Sequence, residues 1–335
     1  ALCLPREEFD EKRVADSIKE LQREFSGNSF HLHTYMGVYE IRDRDEAVSI
    51  MVDKANIAAD TIKNNYDCCV AYYDEHLLEI SIEQRRLLGE FEPALQNDEF
   101  VMYLQPQVKR DGAAKGAEAL VRWVHPSRGI LTPYAFIDIL ENAGLIYKLD
   151  LYIWEKAAQK LAEWKEKGYG SYHISVNIST KDFYIIDIYE TFTGLINKYG
   201  IAASNLHLEI TETTLMTDFE KNMNIIHKLQ GVGFRVEIDD FGSGYSSLNM
   251  LKDISADVLK IDMGFLRKSE NEVKGQDILE SIITLAGKIG MDVITEGVET
   301  KKQLDMLTMM GCHEFQGYYF SKPVPVSEFE EKYLV

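Results

Sequence analysis

The chain has 335 residues, 45% of them hydrophobic, and a formal net charge of −19 at pH 7. That balance provides a sizeable core and excludes a general binder of DNA or RNA polymers, which needs a basic face. No apolar run reaches a membrane span and no signal-peptide pattern is present. Four cysteines (Cys3, Cys68, Cys69, Cys312) without C-x-x-C spacing point to a reducing, cytoplasmic setting rather than a disulfide framework. The first residue is Ala1, not Met, so the chain reads as a piece of a longer protein that could include a membrane anchor upstream.

Residues 1–85 predict β-α-β-α-β. ALCL (1–4) is a strand stub, and Val14, Ile18, Leu21 and Phe25 share one face of a helix that stops near Gly27. HLHTYMGVYEI (31–41) is a strand, and 45–63 a helix with Val48, Met51, Val52 and Ala55 inward. CCVAYYD (68–74) is a third strand, on which Cys68 and Cys69 point to opposite faces. A polar helix over 75–90 leads out, and Pro93 interrupts it. These signals divide the chain into a small α/β segment (1–85), a linker helix (86–97) and a large domain (98–335).

In the large domain, strands begin near 100, 117, 172, 205, 234, 257, 291 and 313. Between them, Thr132 and Pro133 read as N-cap and N1, and Leu151, Trp154, Ala158 and Leu161 line a helix ending near Gly168. Thr217 with Glu220, and Thr300 with Gln303, have capping-box spacing. Gly200, Gly231, Gly290 and Gly311 fall where helix C-termini are expected. Eight strands separated by helices predict an α/β protein whose main body is a (β/α)8 TIM-like barrel.

The strands end in polar residues. Glu118, Asn177, Glu209 and Asp239 come from four successive β/α units, so a closed barrel aims them into one mouth. Clustered carboxylates repel unless something positive sits among them, and an all-oxygen set suits Mg²⁺ or Mn²⁺. Asp240 follows Asp239 where Gly242 and Gly244 mark the exit from the strand, so the pair can bridge two cations, with Glu296 completing the second site. Lys260 is placed to orient a water or a phosphate oxygen, Arg122 to grip a phosphate, and Gln105 and Gln316 to donate around the mouth. Taken singly, these residues have plainer readings. Asp239 or Asp240 alone is a helix N-cap before Tyr245-Ser246-Ser247, Asn177 a turn residue, Glu118 a solvated face, and Lys260 the partner of Asp262 or another mouth acid. Glu209, inside an apolar run, resists such a reading. His125, His173, His207 and His313 show no ligand spacing and read as surface or packing residues.

Glu118-Ala119-Leu120 with Arg122-Trp123, the YLQP run at 103–106, SVNIS, LEITE, EIDDFGSGYSSL, LKID, TEGVE and FQGYYFSKP follow one another in order. Together they resemble the EAL-domain cyclic di-GMP phosphodiesterases over roughly residues 98–332. Residues 1–85 resemble the C-terminal half of a GGDEF domain without its signature hairpin, so no cyclase activity is expected. The resemblance implies two Mg²⁺ or Mn²⁺ ions, one on Glu118, Asn177, Glu209 and Asp239, the other on Asp239, Asp240 and Glu296. It implies Lys260 beside the attacking water, and Gln105, Leu120, Arg122 and Gln316 on the nucleotide. Glu212 and Glu299 would brace the DFGSG loop, in which Ser243 stands where many relatives have Thr. The implied activity is hydrolysis of cyclic di-GMP to linear pGpG, with a homodimer formed through the barrel. The competing reading is a catalytically quiet receptor for the same dinucleotide.

Overall fold

A computed structural model describes residues 2–25, 34–63, 68–241, 254–262, 264 and 272–334. The chain forms two compact units, Ala1–Glu90 and Phe91–Val335.

In the first unit, strands β1 (Met36–Val38) and β2 (Val70–Tyr72) pair in parallel, with the helix Val48–Asp60 as their crossover. Helix Glu11–Phe25 contributes Ile18, which is buried with Cys69 and Val70 beside Val14, Ala15, Met36 and Val38. The close approach of crossover and β1 depends on Gly37, where a Cβ would lie 1.8 Å from the Ala55 carbonyl oxygen. Three expectations need correction. Residues 2–4 form no strand and are exposed, because no described strand offers them a ladder. The strand expected over 31–41 is confined to Met36–Val38, with 31–33 and Gly27 outside the described residues. Val48 is 72% exposed rather than inward. Two three-residue strands are too short to cover the first turn of the crossover, so burial falls further along, on Ala58 and Ile62.

The helix Glu75–Gln96 runs through Pro93 instead of ending before it. Proline removes the hydrogen bond that the Gly89 carbonyl would accept. Phe91 and Ala94, both fully buried, hold the last turns in place, and Asn97 N donates to the Pro93 carbonyl at 3.0 Å.

The second unit contains β3 (Phe100–Lys109), β4 (Ala114–His125), β5 (Gly129–Leu131), β6 (His173–Ile178), β7 (Leu206–Thr211), β8 (Arg235–Phe241), β9 (Val258–Asp262), β10 (Asp292–Glu296), β11 (Glu314–Phe315) and β12 (Val324–Pro325). Eight of them close a TIM-like barrel in the order β3-β4-β6-β7-β8-β9-β10-β11 and back to β3, while β5 and β12 extend β4 and β3. The eight starts lie within a few residues of those expected. One connection differs: β3 is antiparallel to both neighbours, and no helix separates it from β4. Asp111-Gly112, with Gly112 at φ 85°, turns the chain directly into a hairpin.

Along β6, β7 and β8 the residues alternate. Ile174, Val176, Ile178, Leu206, Leu208, Ile210, Val236 and Ile238 are buried apolar positions. Ser175, Asn177, His207, Glu209, Glu237 and Asp239 alternate with them and turn to the barrel interior. TIM barrels usually fill that interior with branched apolar side chains; here it is polar. Outside, the helix Ile146–Glu166 buries Trp154, Ala158 and Leu161, and Trp154 Nε1 donates to the Asn177 carbonyl at 2.9 Å.

Helix ends follow expectation with two exceptions. The Thr300–Gln303 capping box is formed, and Gly200 closes its helix in the left-handed region. Thr217 is not a cap: its hydroxyl donates to the Thr213 carbonyl at 3.0 Å, finishing the preceding helix. Gly231 lies inside the helix Phe219–Val232, and Gly233, at φ 109°, takes the terminal position. Thr132 and Pro133 hold the expected N-cap and N1 positions of the short helix Pro133–Ala135, with no side-chain capping bond from Thr132. No described helix is long and apolar enough to cross a membrane.

Candidate metal centre

Lys260, on β9, is fully buried at the centre of four acids. Its Nζ lies 2.7 Å from Glu296 Oε1, 3.0 Å from Glu209 Oε1, 3.3 Å from Asp239 Oδ1 and 3.5 Å from Glu118 Oε2. Five strands contribute one residue each: β4, β7, β8, β9 and β10. β6 supplies a sixth, Asn177, whose Nδ2 donates to Glu118 Oε1 at 3.1 Å. Gln316 Nε2 donates to Glu118 Oε2 at 2.5 Å and to Gln105 Oε1 at 3.3 Å, and Gln105 Nε2 donates to the Ser321 carbonyl at 3.4 Å. Residues separated by up to 216 positions thus share one hydrogen-bonded cluster. Lys260 pairs with four mouth acids; Asp262 instead accepts the Gly264 amide at 2.8 Å.

One ammonium cannot balance four carboxylates. Burial opposes the charge on Lys260, but Asp239, Glu118, Glu209 and Glu296 outweigh it and hold the lysine well above its ordinary range. Burial also opposes ionisation of Glu118, yet Lys260 and the Gln316 and Asn177 amides prevail and lower its carboxyl. The deficit falls elsewhere. Burial, then the charge of Glu118, raises Glu209 well above the carboxylate range. Burial, with Asp239 and Glu118 prevailing over Lys260, pushes Glu296 up to about 8. Glu209 Oε2 is buried without a hydrogen-bond partner, and Glu209 Oε1, Asp239 Oδ1 and Glu296 Oε1 have only the one ammonium of Lys260 to share. Unsatisfied hard oxygens in a net-negative pocket match the donor set of Mg²⁺ or Mn²⁺.

Asp240 sits at the edge of this cluster, exposed, with φ 56°. The β8–β9 register shifts between Ile238 and Phe241. Asp239 and Asp240 are therefore not a regular alternating pair, which is what two adjacent acids need to serve one site. Desolvation, then Asp239 and Asp262, raises the Asp240 carboxyl. Leu120 and Arg122 lie further along β4 from Glu118, both half-buried, outside the Lys260 cluster. Arg122 Nη1 donates to the Val121 carbonyl at 2.8 Å, and its guanidinium lies 5.4 Å from the Tyr103 ring centroid. Burial lowers the guanidinium's affinity for its proton. Glu212 is buried at the start of the helix Glu212–Thr217. Glu299 is exposed just before the Thr300 cap. The loop they were expected to brace, including Gly242, Ser243, Gly244 and Tyr245-Ser246-Ser247, lies outside the described residues.

The histidines divide. His313 is exposed and His125 is buried against Trp123, as surface and packing residues should be. His173 and His207 are instead buried within the barrel with Gln107, Ser175 and Glu237, a cluster without an apparent metal motif in the sequence. Its signal was periodic: Ser175, His207 and Glu237 each lie two residues before a mouth ligand and so face the same interior.

The EAL domain family model matches residues 89–323. An uncharacterized Synechocystis protein is 32% identical over 92% of this chain and 45% of its own length. MucR of Pseudomonas aeruginosa, a bifunctional diguanylate cyclase/cyclic di-GMP phosphodiesterase, is 32% identical over 81% of this chain and 39% of its own length. The chain thus spans less than half the length of these curated relatives. The solved PaMucR phosphodiesterase in complex with c-di-GMP superposes with a TM-score of 0.69 at 33% identity, covering 73% of this chain and 99% of that one.

Proposed function

This chain belongs to the EAL domain family, and we propose that it hydrolyses cyclic di-GMP to linear pGpG with the help of two Mg²⁺ or Mn²⁺ ions. The observation that carries this reading is the convergence of Glu118, Glu209, Asp239 and Glu296 on one buried lysine that cannot neutralise them. The relatives named for cyclic di-GMP chemistry support the choice of substrate.

Glu118, Asn177, Glu209 and Asp239 would hold one cation, and Asp239, Asp240 and Glu296 the other. When bound, the cations supply the charge that admits an anionic phosphodiester and the acidity that activates water. The chain's own residues do the rest. Lys260, held among the acids, would contact the attacking water. Gln316 and Asn177 keep Glu118 ionised and oriented by donating to its two oxygens. Gln105, Leu120, Arg122 and Gln316 would bind the nucleotide, with Arg122 in reach of a phosphate. Glu212 and Glu299 would brace the DFGSG loop over the site. The protein would act as a homodimer formed through the barrel. We read residues 1–85 as a partial GGDEF-like unit, a reading with which the parallel β1–β2 crossover agrees.

Incubation of the purified chain with cyclic di-GMP and Mg²⁺ or Mn²⁺, followed by chromatography, tests the proposal. Linear pGpG is expected. Tight binding of the intact dinucleotide without turnover would identify a receptor instead.

A further inference from the structure

Below the mouth acids, the barrel interior carries a second polar layer with different chemistry. The His173 and His207 rings are stacked, 3° from parallel, with centroids 3.8 Å apart. His207 Nδ1 lies 2.5 Å from Glu237 Oε1. One potential ligand atom from each of His173, His207 and Glu237 falls within 4.8 Å of the other two.

Every member has a supporting partner. His173 Nε2 meets Gln107 Oε1 at 2.7 Å, and Ser175 Oγ donates to Glu237 Oε1 at 3.2 Å. His207 Nε2 meets the Ser204 carbonyl at 3.2 Å. A carbonyl only accepts, so this Nε2 carries the hydrogen and Nδ1 is the nitrogen offered to Glu237. A bare nitrogen lone pair would repel a carboxylate oxygen at that distance, so the contact holds a positive species: a proton on Nδ1 in the metal-free chain, or a metal ion in its place. A proton on Nδ1 would satisfy that one contact. It would leave Glu237 Oε2, fully buried, without the partner it lacks. A metal ion accepts the carboxylate and both imidazoles together.

The surroundings are shaped for this pair of rings. A Cβ on Gly116 would lie 2.4 Å from the His173 ring, so the ring fits only because residue 116 has no side chain. A cavity of about 630 Å³, lined in part by His173, His207, Glu237, Tyr169 and Arg235, gives an approach to the cluster.

We propose that His173, His207 and Glu237 form a second metal site, selective for a late first-row divalent ion of the zinc type. Two imidazoles and a carboxylate are ligands that zinc favours and magnesium does not. The Ser204 carbonyl, Gln107 and Ser175 are the outer contacts that fix tautomer and ring orientation in such sites. The ligands lie on β6, β7 and β8, the strands that also carry Asn177, Glu209 and Asp239. A cation here ties those strands together without being part of the mouth.

Cobalt titration tests this independently of any turnover. The chelator-treated full chain is titrated with Co²⁺ in a large excess of Mg²⁺, which occupies oxygen-lined sites. Visible absorption bands of a nitrogen-ligated, low-coordinate Co²⁺ are expected to saturate at one equivalent and to vanish when Zn²⁺ is added. His207→Gln should abolish them. Ser175→Ala should weaken binding about tenfold by loosening Glu237. Asp239→Asn, which damages the mouth, should leave them intact. Absence of the bands in the parent chain overturns the proposal, whether or not His207→Gln folds. So does their loss in Asp239→Asn with survival in a folded His207→Gln. Because the readout is spectroscopic, a negative result here leaves the hydrolysis reading untouched, and absent hydrolysis leaves this one untouched.

Discussion

The mouth and the lower layer of the barrel are built from the same strands, yet they solve the burial of charge in opposite ways. In the mouth, four acids surround one lysine, and the surplus is carried by Glu209 and Glu296, whose carboxyls are raised. In the lower layer a single acid, Glu237, meets His207 and Ser175; burial opposes its charge, but the hydrogen bond and charge of His207, with Lys260, prevail and hold the carboxyl below its ordinary range. An acid with donors stabilises the fold; an acid in surplus destabilises it until a cation arrives. The mouth therefore gives up stability for binding capacity, whereas the lower layer is satisfied in larger part by the chain itself.

That contrast can be broken by experiment. The largest expected effect is on turnover. Glu118→Ala removes an acid that receives two amide donors, and cyclic di-GMP hydrolysis should fall at least about a hundredfold, the loss typical even for groups one shell further out. Near-parental rates in Mg²⁺ or Mn²⁺ would end the assignment of Glu118 as a ligand.

Lys260→Met comes next. It leaves the four acids with no resident cation, so denaturant titration of the metal-free protein should show a loss of about 3–5 kcal/mol. An unchanged midpoint would mean the lysine is not what holds the mouth together.

A matched pair of amide substitutions sharpens the comparison further. In metal-free protein, Glu209→Gln discards surplus charge and should raise stability by about 1 kcal/mol. Glu237→Gln discards a paired charge and should lower it by roughly 1–3 kcal/mol. Shifts of the same sign would show that the two layers do not differ in the way described.

The smallest effect is in pH dependence. Metal-free, the folded chain keeps a proton on Glu296 up to about pH 8, whereas the unfolded chain releases it near the ordinary carboxyl value of 4.5. Between these values the native state binds more protons, so this group's contribution to stability is lost as pH rises through the window. Thermal melts should show that decline, and saturating Mg²⁺ should flatten it by taking the proton's place. A decline of the same size with the ion present would exclude Glu296 from the metal site.

Much of the barrel was legible in residue order. Apolar runs of strand length, polar ends and glycines at helix ends placed the eight strands to within a few residues, because each signal is local. The exceptions were also physical. Pro93 failed to stop its helix because buried Phe91 and Ala94 hold the last turns in place. The β3–β4 hairpin replaced an expected helix because Asp111-Gly112 supplies a tight turn. Thr217 and Gly231 had the right spacing for caps, but neighbouring Asp218 and Gly233 took those positions.

The polar residues themselves, and the fact that they recur at strand ends, were fixed by the amino-acid order, since alternation along a strand dictates which side chains share a face. Which of them meet was decided by closure of the barrel. Pairing β11 back onto β3 brings Gln316 to Gln105 and Glu118 from some two hundred residues away. The parallel pairing of β6 with β7 likewise stacks His173 on His207, two residues that no linear spacing connects. Charge balance is a property of that enclosed volume, where low dielectric makes each unpaired carboxylate count. It could be reckoned only once the strands had enclosed it.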